Sequence, residues 1–560
     1  MNKIIGFCVS NKDCEYDFKF AEFFPWLNSQ KITICGNTVW LWGHGEFSGF
    51  IKKYTDRIQI IAGYTDGELE FLSNDRPDNR AVFINFYSDR IELENDHIGS
   101  FRVFYGRGEQ NWCVSSTEDL VLQTIGRQMP DKVNLVQYLL IGHLTCEQTI
   151  YPHIFSMLAN SRLTVKDGRF ETSRLDPLEF MNISNPLETL FEITQSTIKK
   201  YTDCYDKMFL PLSGGYDSRL LAAYMSRPQR IIARSYDYAY PIENGYEVGR
   251  AREIANAAGI SNWRPSDIGT DFYADYAKSW FSIFGTSHHH HGMYVMRFFD
   301  KCFGSNGAVL PTASGYIGDV FAGNQLGCFV NVKDSNQATK FYVSQHVNAE
   351  GFKPEELSRL LNFDVAECLP VIYERWQKQW DSTEGQEWQK FILNFVRHRG
   401  RTHISYLCMI ADLYGAAITP YTDRNYIRTL LSLSFENMLG RKLQEQMMQK
   451  YLPQFWLDNR KMPQYKHCIN FLCMRNRKFE NIFPITVDGQ TQRYPYLNYD
   501  YLEQMVQNFA QASDSREIIY GPGDILCLYR LNTLRPLFFA QQLAQEQTEN
   551  FEIYGNMRNA

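Results

Sequence analysis

An apolar run, Met208-Phe209-Leu210-Pro211-Leu212, leads into Ser213-Gly214-Gly215-Tyr216-Asp217-Ser218 and then into a helix-like segment from Arg219 to Met225. No other stretch of the chain restricts the fold so tightly. A buried strand that turns through two glycines into a helix lets backbone N–H groups approach an anion. The helix N-terminus adds about half a positive charge. Ser213 and Ser218 bring hydroxyl donors to the same place. Asp217 would repel a bare phosphate, so the pattern implies a cation, and a hard Mg²⁺ shared with pyrophosphate oxygens resolves the conflict. The competing reading is an ordinary strand–turn–helix corner, in which serines and glycines are common.

The six residues fit S-G-G-x-D-S, which resembles the pyrophosphate loop of ATP pyrophosphatases. By that resemblance, ATP is cleaved between its α and β phosphates and an adenylate forms. The commoner G-x-x-x-x-G-K-[ST] loop does not occur in the chain.

With 560 residues, 44% hydrophobic and 15% aromatic, the chain has the material for two or more packed domains. A net charge of −6, with both signs interspersed, argues against a nucleic-acid-binding face. The one basic cluster, Arg397-His398-Arg399-Gly400-Arg401, reads as a solvated helix face, or as a source of one phosphate-holding arginine. Thirteen cysteines without a C-x-x-C pair read as free thiols in a cytoplasmic protein. No apolar run reaches the roughly 18 residues a membrane span needs. The run His288-His289-His290-His291 reads as a loop rather than a metal site, because adjacent helical residues do not share a face. One of these histidines remains a candidate for lining a substrate pocket.

Residues 1–180 read as β-rich, with strands at 32–34, 58–61, 81–87 and 90–93, short helices near Ser116 and Asn134, and a closing hairpin at 162–170. A linker falls at about 175–187. From 188 to 560 strands alternate with helices, at 208–212, 230–235 and 307–311 for the strands and 247–258 for a helix, which predicts a parallel sheet. Past about residue 335 nearly everything reads as helix.

A second glycine-rich turn, Ala313-Ser314-Gly315-Tyr316-Ile317-Gly318-Asp319, also follows a strand and also carries an aspartate. Parallel strands present their C-terminal ends on one edge of the sheet, so Asp217 and Asp319 are expected to face one Mg²⁺–ATP. With this turn the chain resembles the asparagine synthetase family, which includes β-lactam synthetases and lasso-peptide cyclases. Ser314, Gly315, Asp319 and Gly323 match its second motif. Thr419-Pro420-Tyr421-Thr422-Asp423 resembles V-P-F-L-D, and Leu452-Pro453 with Asn459-Arg460-Lys461 resembles L-P…R-x-K. In the first half Asp96, Gly99, Tyr105, Ser115, Ser116 and Glu118 resemble the glutamine amidotransferase domain such enzymes carry in front.

The resemblance implies an α+β N-terminal Ntn-hydrolase-like sandwich. An α/β pyrophosphate-loop domain, of the adenine nucleotide α-hydrolase-like kind, follows with a helical C-terminal part. It assigns Ser213, Gly214, Gly215, Asp217, Ser218 and Gly315 to ATP, Ser235 to the neighbourhood of the adenosine, Asp217 and Asp319 to Mg²⁺, and Lys461 to the transition state. Lys466 is a weaker candidate for the same role. A lysine about 4 Å from the developing charge contributes up to roughly 4 kcal/mol at an effective dielectric near 20.

Two departures shape the expectation. Position 2 is Asn, where glutamine-using members present a cysteine, so the first domain is expected to lack glutaminase activity, with Cys8 unable to replace the nucleophile without a processing cut. Tyr316 stands where asparagine synthetases have Glu. β-Lactam-forming members have Tyr there as part of a base, and the Glu that would activate it is Ala416 here, leaving Asp412 or Glu247 as candidate substitutes. The expected activity is amide formation from a small-molecule or peptide carboxylate and an amine or ammonia, with a homodimer left open. The alternatives are an ammonia-using asparagine synthetase and a non-catalytic nucleotide-binding relative.

Overall fold

The computed structural model describes residues 1–13, 16, 22–72, 76–126, 128–236, 246–268, 276, 279–280, 283–285, 292–304, 310–330, 332, 334, 336–340, 342, 351–457, 486–487, 490–491, 495–511, 530, 533–534 and 537. Two six-stranded antiparallel sheets form the first part. One runs β10-β8-β9-β1-β3-β2, from β1 (Lys3–Ser10), β2 (Asn28–Ile34), β3 (Asn37–His44), β8 (Phe104–Arg107), β9 (Trp112–Ser115) and β10 (Ile154–Ser156). The other runs β12-β11-β7-β6-β5-β4, from β4 (Ile51–Lys53), β5 (Ile58–Ala62), β6 (Val82–Phe86), β7 (Ile91–Asn95), β11 (Ser161–Lys166) and β12 (Arg169–Arg174).

Alternation sorts the faces. Val9, Val39, Leu41 and Val114 of one sheet meet Ile60, Ile84, Leu93 and Leu163 of the other in a shared apolar core. Cys8, Trp42 and Cys113 point the opposite way, into a core that continues through the second part of the chain. The expected closing hairpin forms at β11–β12, turning on Asp167 and Gly168, both at positive φ. Strand β3 was not foreseen.

Residues 208–418 build a five-stranded sheet, β15-β14-β13-β16-β17, with every pairing parallel. Its strands are β13 (Met208–Pro211), β14 (Ile231–Ser235), β15 (Trp263–Pro265), β16 (Pro311–Ala313) and β17 (Ala416–Ile418). The expected strand at 307–311 is β16, and residues 307–309 lie outside the described residues. β17 is a strand within the part past residue 335 that reads as nearly all helix. The helices that bear on the site are α1 (Tyr216–Tyr224), α2 (Tyr246–Ala257), α3 (Met293–Phe303), α4 (Tyr406–Tyr414) and α5 (Lys442–Tyr451). No described helix is long and apolar enough to cross a membrane.

The basic cluster is not a solvated face. Val396–Ile404 is a nine-residue π-helix in which Arg397, His398 and Arg401 are buried. Arg397 makes a bidentate pair with Glu384 and donates to the His97 carbonyl. Arg401 donates to the carbonyls of Met157 and Cys146, and the Cys146 N–H donates to His398. These side chains anchor the helical region to the first domain.

The two parts are also joined by ions. Asp412, near the end of α4, accepts from Lys3 Nζ at 2.9 Å and from Arg80, all three buried. It also accepts from the Ala417 N–H, while Lys3 donates to the Ala417 carbonyl. Burial acts to raise the Asp412 carboxyl, but Arg80 and Lys3 outweigh it and hold it below its ordinary range. Thr419 and Thr422, beside β17, both donate to Asn79 of the first domain.

Asp412→Ala would strand Lys3 and Arg80 in the interior, and breaking a buried pair costs about 3–5 kcal/mol. Denaturant unfolding should show a loss of that order. In the parent the contribution should be complete above the ordinary carboxylate range near pH 4 and fade as pH falls through the depressed folded value.

Candidate nucleotide and metal site

The strand order of the parallel sheet reverses between β13 and β16. In open sheets a ligand crevice forms outside the strand ends at such a switch point. The two motif loops leave from these two strands. A cavity of about 320 Å³ opens there, lined by Ser213, Gly215, Asp217 and Ser218 of the first loop and Ser314, Gly315 and Tyr316 of the second, with Arg234, Tyr236 and Glu247 beside them.

The loops touch through glycines. A Cβ on Gly318 would come within 2.9 Å of the Asp217 carboxyl, and one on Gly315 within 3.0 Å of the Asp217 Cβ. The second backbone therefore lies directly on the first aspartate. Between these glycines Ile317 takes φ 56°, a left-handed conformation that is rare and costly for a β-branched residue.

Asp217 is the electrostatic centre. Its Oδ1 is buried with no hydrogen-bond partner. Burial, followed by the charge of Asp319, pushes its carboxyl up to about 7, and the Asp319 backbone N–H faces it. The Tyr421 hydroxyl donates to its main-chain carbonyl at 2.8 Å. An orphaned buried carboxylate oxygen beside a second carboxylate is the donor set a hard divalent cation takes. Among the described residues no three His, Cys, Asp or Glu side chains converge on one point, so the remaining ligands would be ligand or water oxygens.

Arg441 is the residue that sequence reading missed. It sits at φ 64° at the head of α5, its Nη2 lies 3.8 Å from Asp319 Oδ2, and its guanidinium stacks on Tyr216. Nothing in the local pattern around Gly440-Arg441 signals this, because Asp319 is far away in the chain.

Several of the expected site residues have protein partners of their own. The Ser213 and Ser218 hydroxyls bond each other at 3.0 Å, the Ser218 hydroxyl donates to the Ser213 carbonyl, and Ser213 Oγ accepts the Gly215 N–H. They close the loop rather than stand free for phosphate. The Gly214 N–H donates to Glu247 Oε2 at 2.8 Å, an approach that only glycine permits, since a Cβ there would lie 2.8 Å from the Arg250 Cβ. The helix α1 has no side-chain cap, which leaves its first-turn amides without a capping partner.

Ser235 is buried, its hydroxyl donating to the Leu212 carbonyl at 2.6 Å and accepting from Trp263 Nε1. Its neighbours Arg234 and Tyr236 line the cavity instead. Tyr316 lines the cavity, but its hydroxyl donates to the Gly400 carbonyl of the π-helix at 2.9 Å. Burial pushes its phenol well above the ordinary value. In this arrangement its hydroxyl is engaged as a donor to the π-helix. Neither proposed partner activates it, since Asp412 is held by Lys3 and Arg80 and Glu247 by Gly214. Lys461, Lys466 and His288–His291 lie outside the described residues.

In the first domain Asn2 is fixed by its neighbours. Its Oδ1 accepts the Glu46 N–H, and its Nδ2 and N–H both face Asp66 Oδ2. Cys8 is buried within β1, and burial pushes its thiol up. The Asp96 carboxylate accepts the N–H groups of Ile98, Ser100 and Phe101, and so shapes a turn.

No family model and no curated protein matches the chain. Among solved structures, glutamine phosphoribosylpyrophosphate amidotransferase from B. subtilis, complexed with ADP and GMP, is similar over 46% of this chain and 90% of its own. The identity is 7% and the TM-score 0.22. A structure described as the allosteric regulatory enzyme of purine biosynthesis is similar over 48% of this chain and 81% of its own, at 7% identity and a TM-score of 0.21. At those values the likeness adds no weight, and the site is defined by its own geometry.

A carboxyl raised in the fold binds its proton more tightly there than in the unfolded chain. Without a divalent cation, stability should therefore fall as pH rises from about 4 towards 7, by roughly 1.4 kcal/mol for each tenfold drop in proton concentration. Asp217→Asn should raise the cation-free unfolding midpoint at pH 8, and Mg²⁺ with nucleotide should stabilise the parent far more than the variant. Thermal scans with and without chelator check both.

Proposed function

We propose that the protein is an ATP- and Mg²⁺-dependent ligase that adenylates a carboxylate and passes the acyl group to an amine, without glutaminase activity of its own. The observation that carries the reading is the meeting of two aspartate-bearing strand-end loops at the switch point of a parallel sheet, with Asp217 Oδ1 buried and unpartnered. The first domain fits this reading as an Ntn-type amidotransferase sandwich that has lost its nucleophile, since Asn2 offers none and its amide is held in place.

Asp217 and Asp319 would hold the cation, which when bound offsets the charge of the departing pyrophosphate. The uncapped first-turn amides of α1 would be the donors to the phosphate oxygens. Arg441, beside Asp319, is placed to take up charge on the leaving group. In the first step a carboxylate oxygen attacks the α-phosphorus and pyrophosphate leaves. In the second the amine nitrogen attacks the acyl carbon, AMP leaves and the nitrogen gives up a proton. That proton does not go to Tyr316, which acts as a cavity wall. Lys461, by resemblance, is the further cation at the reacting phosphate.

One observation favours a second reading, a non-catalytic nucleotide-binding relative: Glu247 already occupies the Gly214 N–H within the loop. ATP–pyrophosphate exchange separates the two. Acid-dependent exchange that Asp217→Asn abolishes supports the ligase. Nucleotide binding with no exchange across a broad acid panel supports the relative, and exchange with aspartate followed by ammonia-dependent AMP release would mark an asparagine synthetase.

Tyr316→Phe separates a wall from a base. The variant should keep exchange and amide formation within a few-fold of the parent and lose about 1 kcal/mol of stability with the Gly400 hydrogen bond. A base would instead give a loss of about 10²-fold or more in the amide-forming step, read in single-turnover assays.

A further inference from the structure

The cavity has two distinct sides. It runs across the ends of β14, β13 and β16, with the phosphate loop in the middle. On the β14 side the wall includes Tyr236 and Phe298, whose rings pack tilted against each other with centroids 4.7 Å apart. Flat rings there suit a purine. On the β16 side the wall is Thr312, Ala313 and Tyr316 with Leu407 and Ala411 of α4. That side is left for the acid.

The charged residues that line the cavity are Asp217, Glu247 and Arg234. The two acids belong to the phosphate loop and its neighbour. The Arg234 guanidinium is turned to the carbonyls of Ala233 and Asn262 and to the Asn262 side chain, at 2.8–3.3 Å, on the β14–β15 side. Among the described residues, no charged side chain lines the β16 side. Its tyrosine hydroxyl is taken by Gly400. Thr312 Oγ1, a neutral hydroxyl, is buried there with no hydrogen-bond partner.

Resting on the ligase reading, we infer that the acid activated by this protein is a monocarboxylate whose remainder is apolar and uncharged, seated against Tyr316, Leu407 and Ala411. A substrate such as aspartate would bring a second carboxylate and an ammonium to a wall of rings and methyl groups. Each charge would lose its water there without gaining a partner among the described residues. An alkyl or aryl chain loses nothing of the kind and buries apolar surface. The Thr312 hydroxyl leaves room for one neutral polar atom on that chain.

The test is ATP–pyrophosphate exchange by the full chain with Mg²⁺ and two panels of acids. One holds butanoate, octanoate, benzoate and phenylacetate, and the other aspartate, glutamate and succinate. The expected result is exchange with at least one member of the first panel, about tenfold or more above any member of the second, the scale on which apolar pockets discriminate. Leu407→Arg, at a half-buried position that can accept a longer side chain, should move the preference towards succinate or glutamate. Exchange driven by aspartate with the first panel silent overturns the inference and leaves the ligase standing. Exchange with both panels at similar rates, or a Leu407→Arg protein with unchanged preference, also overturns the inference alone. Silence with every acid, in a protein that still binds ATP, removes the ligase reading and the inference together.

Discussion

Asp412 holds the molecule together. Its carboxylate gathers a lysine from the third residue of the chain, an arginine from the loop before β6, and the backbone of β17. Buried charges are tolerated only when paired and hydrogen-bonded, and here every partner comes from a different element. Lys3 also ties the start of β1, an inner strand of the antiparallel sandwich, to the Ala417 carbonyl on the edge strand β17 of the parallel sheet. β17 in turn supports β16, because the Ser314 N–H donates to the Ile418 carbonyl just ahead of the second loop. The position of Asp319 thus depends on contacts made more than three hundred residues earlier.

The tension in the site follows from that rigidity. Two carboxylates are held near one another, one buried and short of a donor, with Ile317 and Arg441 on either side of Asp319 in left-handed backbone conformations. None of this favours the fold. Such costs persist when a scaffold over-determines the geometry, and they concentrate where ligands bind. The first domain contributes to that scaffold. Its Asn2 is locked, its Cys8 is buried, and its carbonyls receive the π-helix arginines. The first domain behaves structurally as a brace for the second half.

Legibility from sequence was uneven for identifiable reasons. β5, β6, β7, β13 and β14 were readable because apolar alternation or a continuous apolar run is a local signal. The Asp167-Gly168 turn was readable because its residues tolerate positive φ. β3 was missed because its composition is irregular, with Asn37, Thr38 and Gly43 among tryptophans. The basic cluster was misread because charge normally marks solvent, and only a π-helix buried against backbone carbonyls reverses that. The hydroxyl partners of Tyr316 and Ser235 were not readable, because a motif records where a side chain begins and not where its hydrogen bond goes.

The chain's own residues determined the strand–loop–helix units, the glycines that let two loops touch, and the presence of one aspartate in each. Those are properties of a few neighbouring residues, where backbone sterics and periodicity decide the outcome. Only the folded arrangement decided that the two loops share a switch point, that Asp217 Oδ1 lacks a donor, that Arg441 reaches Asp319, and that Tyr316 is tied to Gly400. Those depend on partners that lie far apart in the chain, and burial, charge and hydrogen bonding act through space.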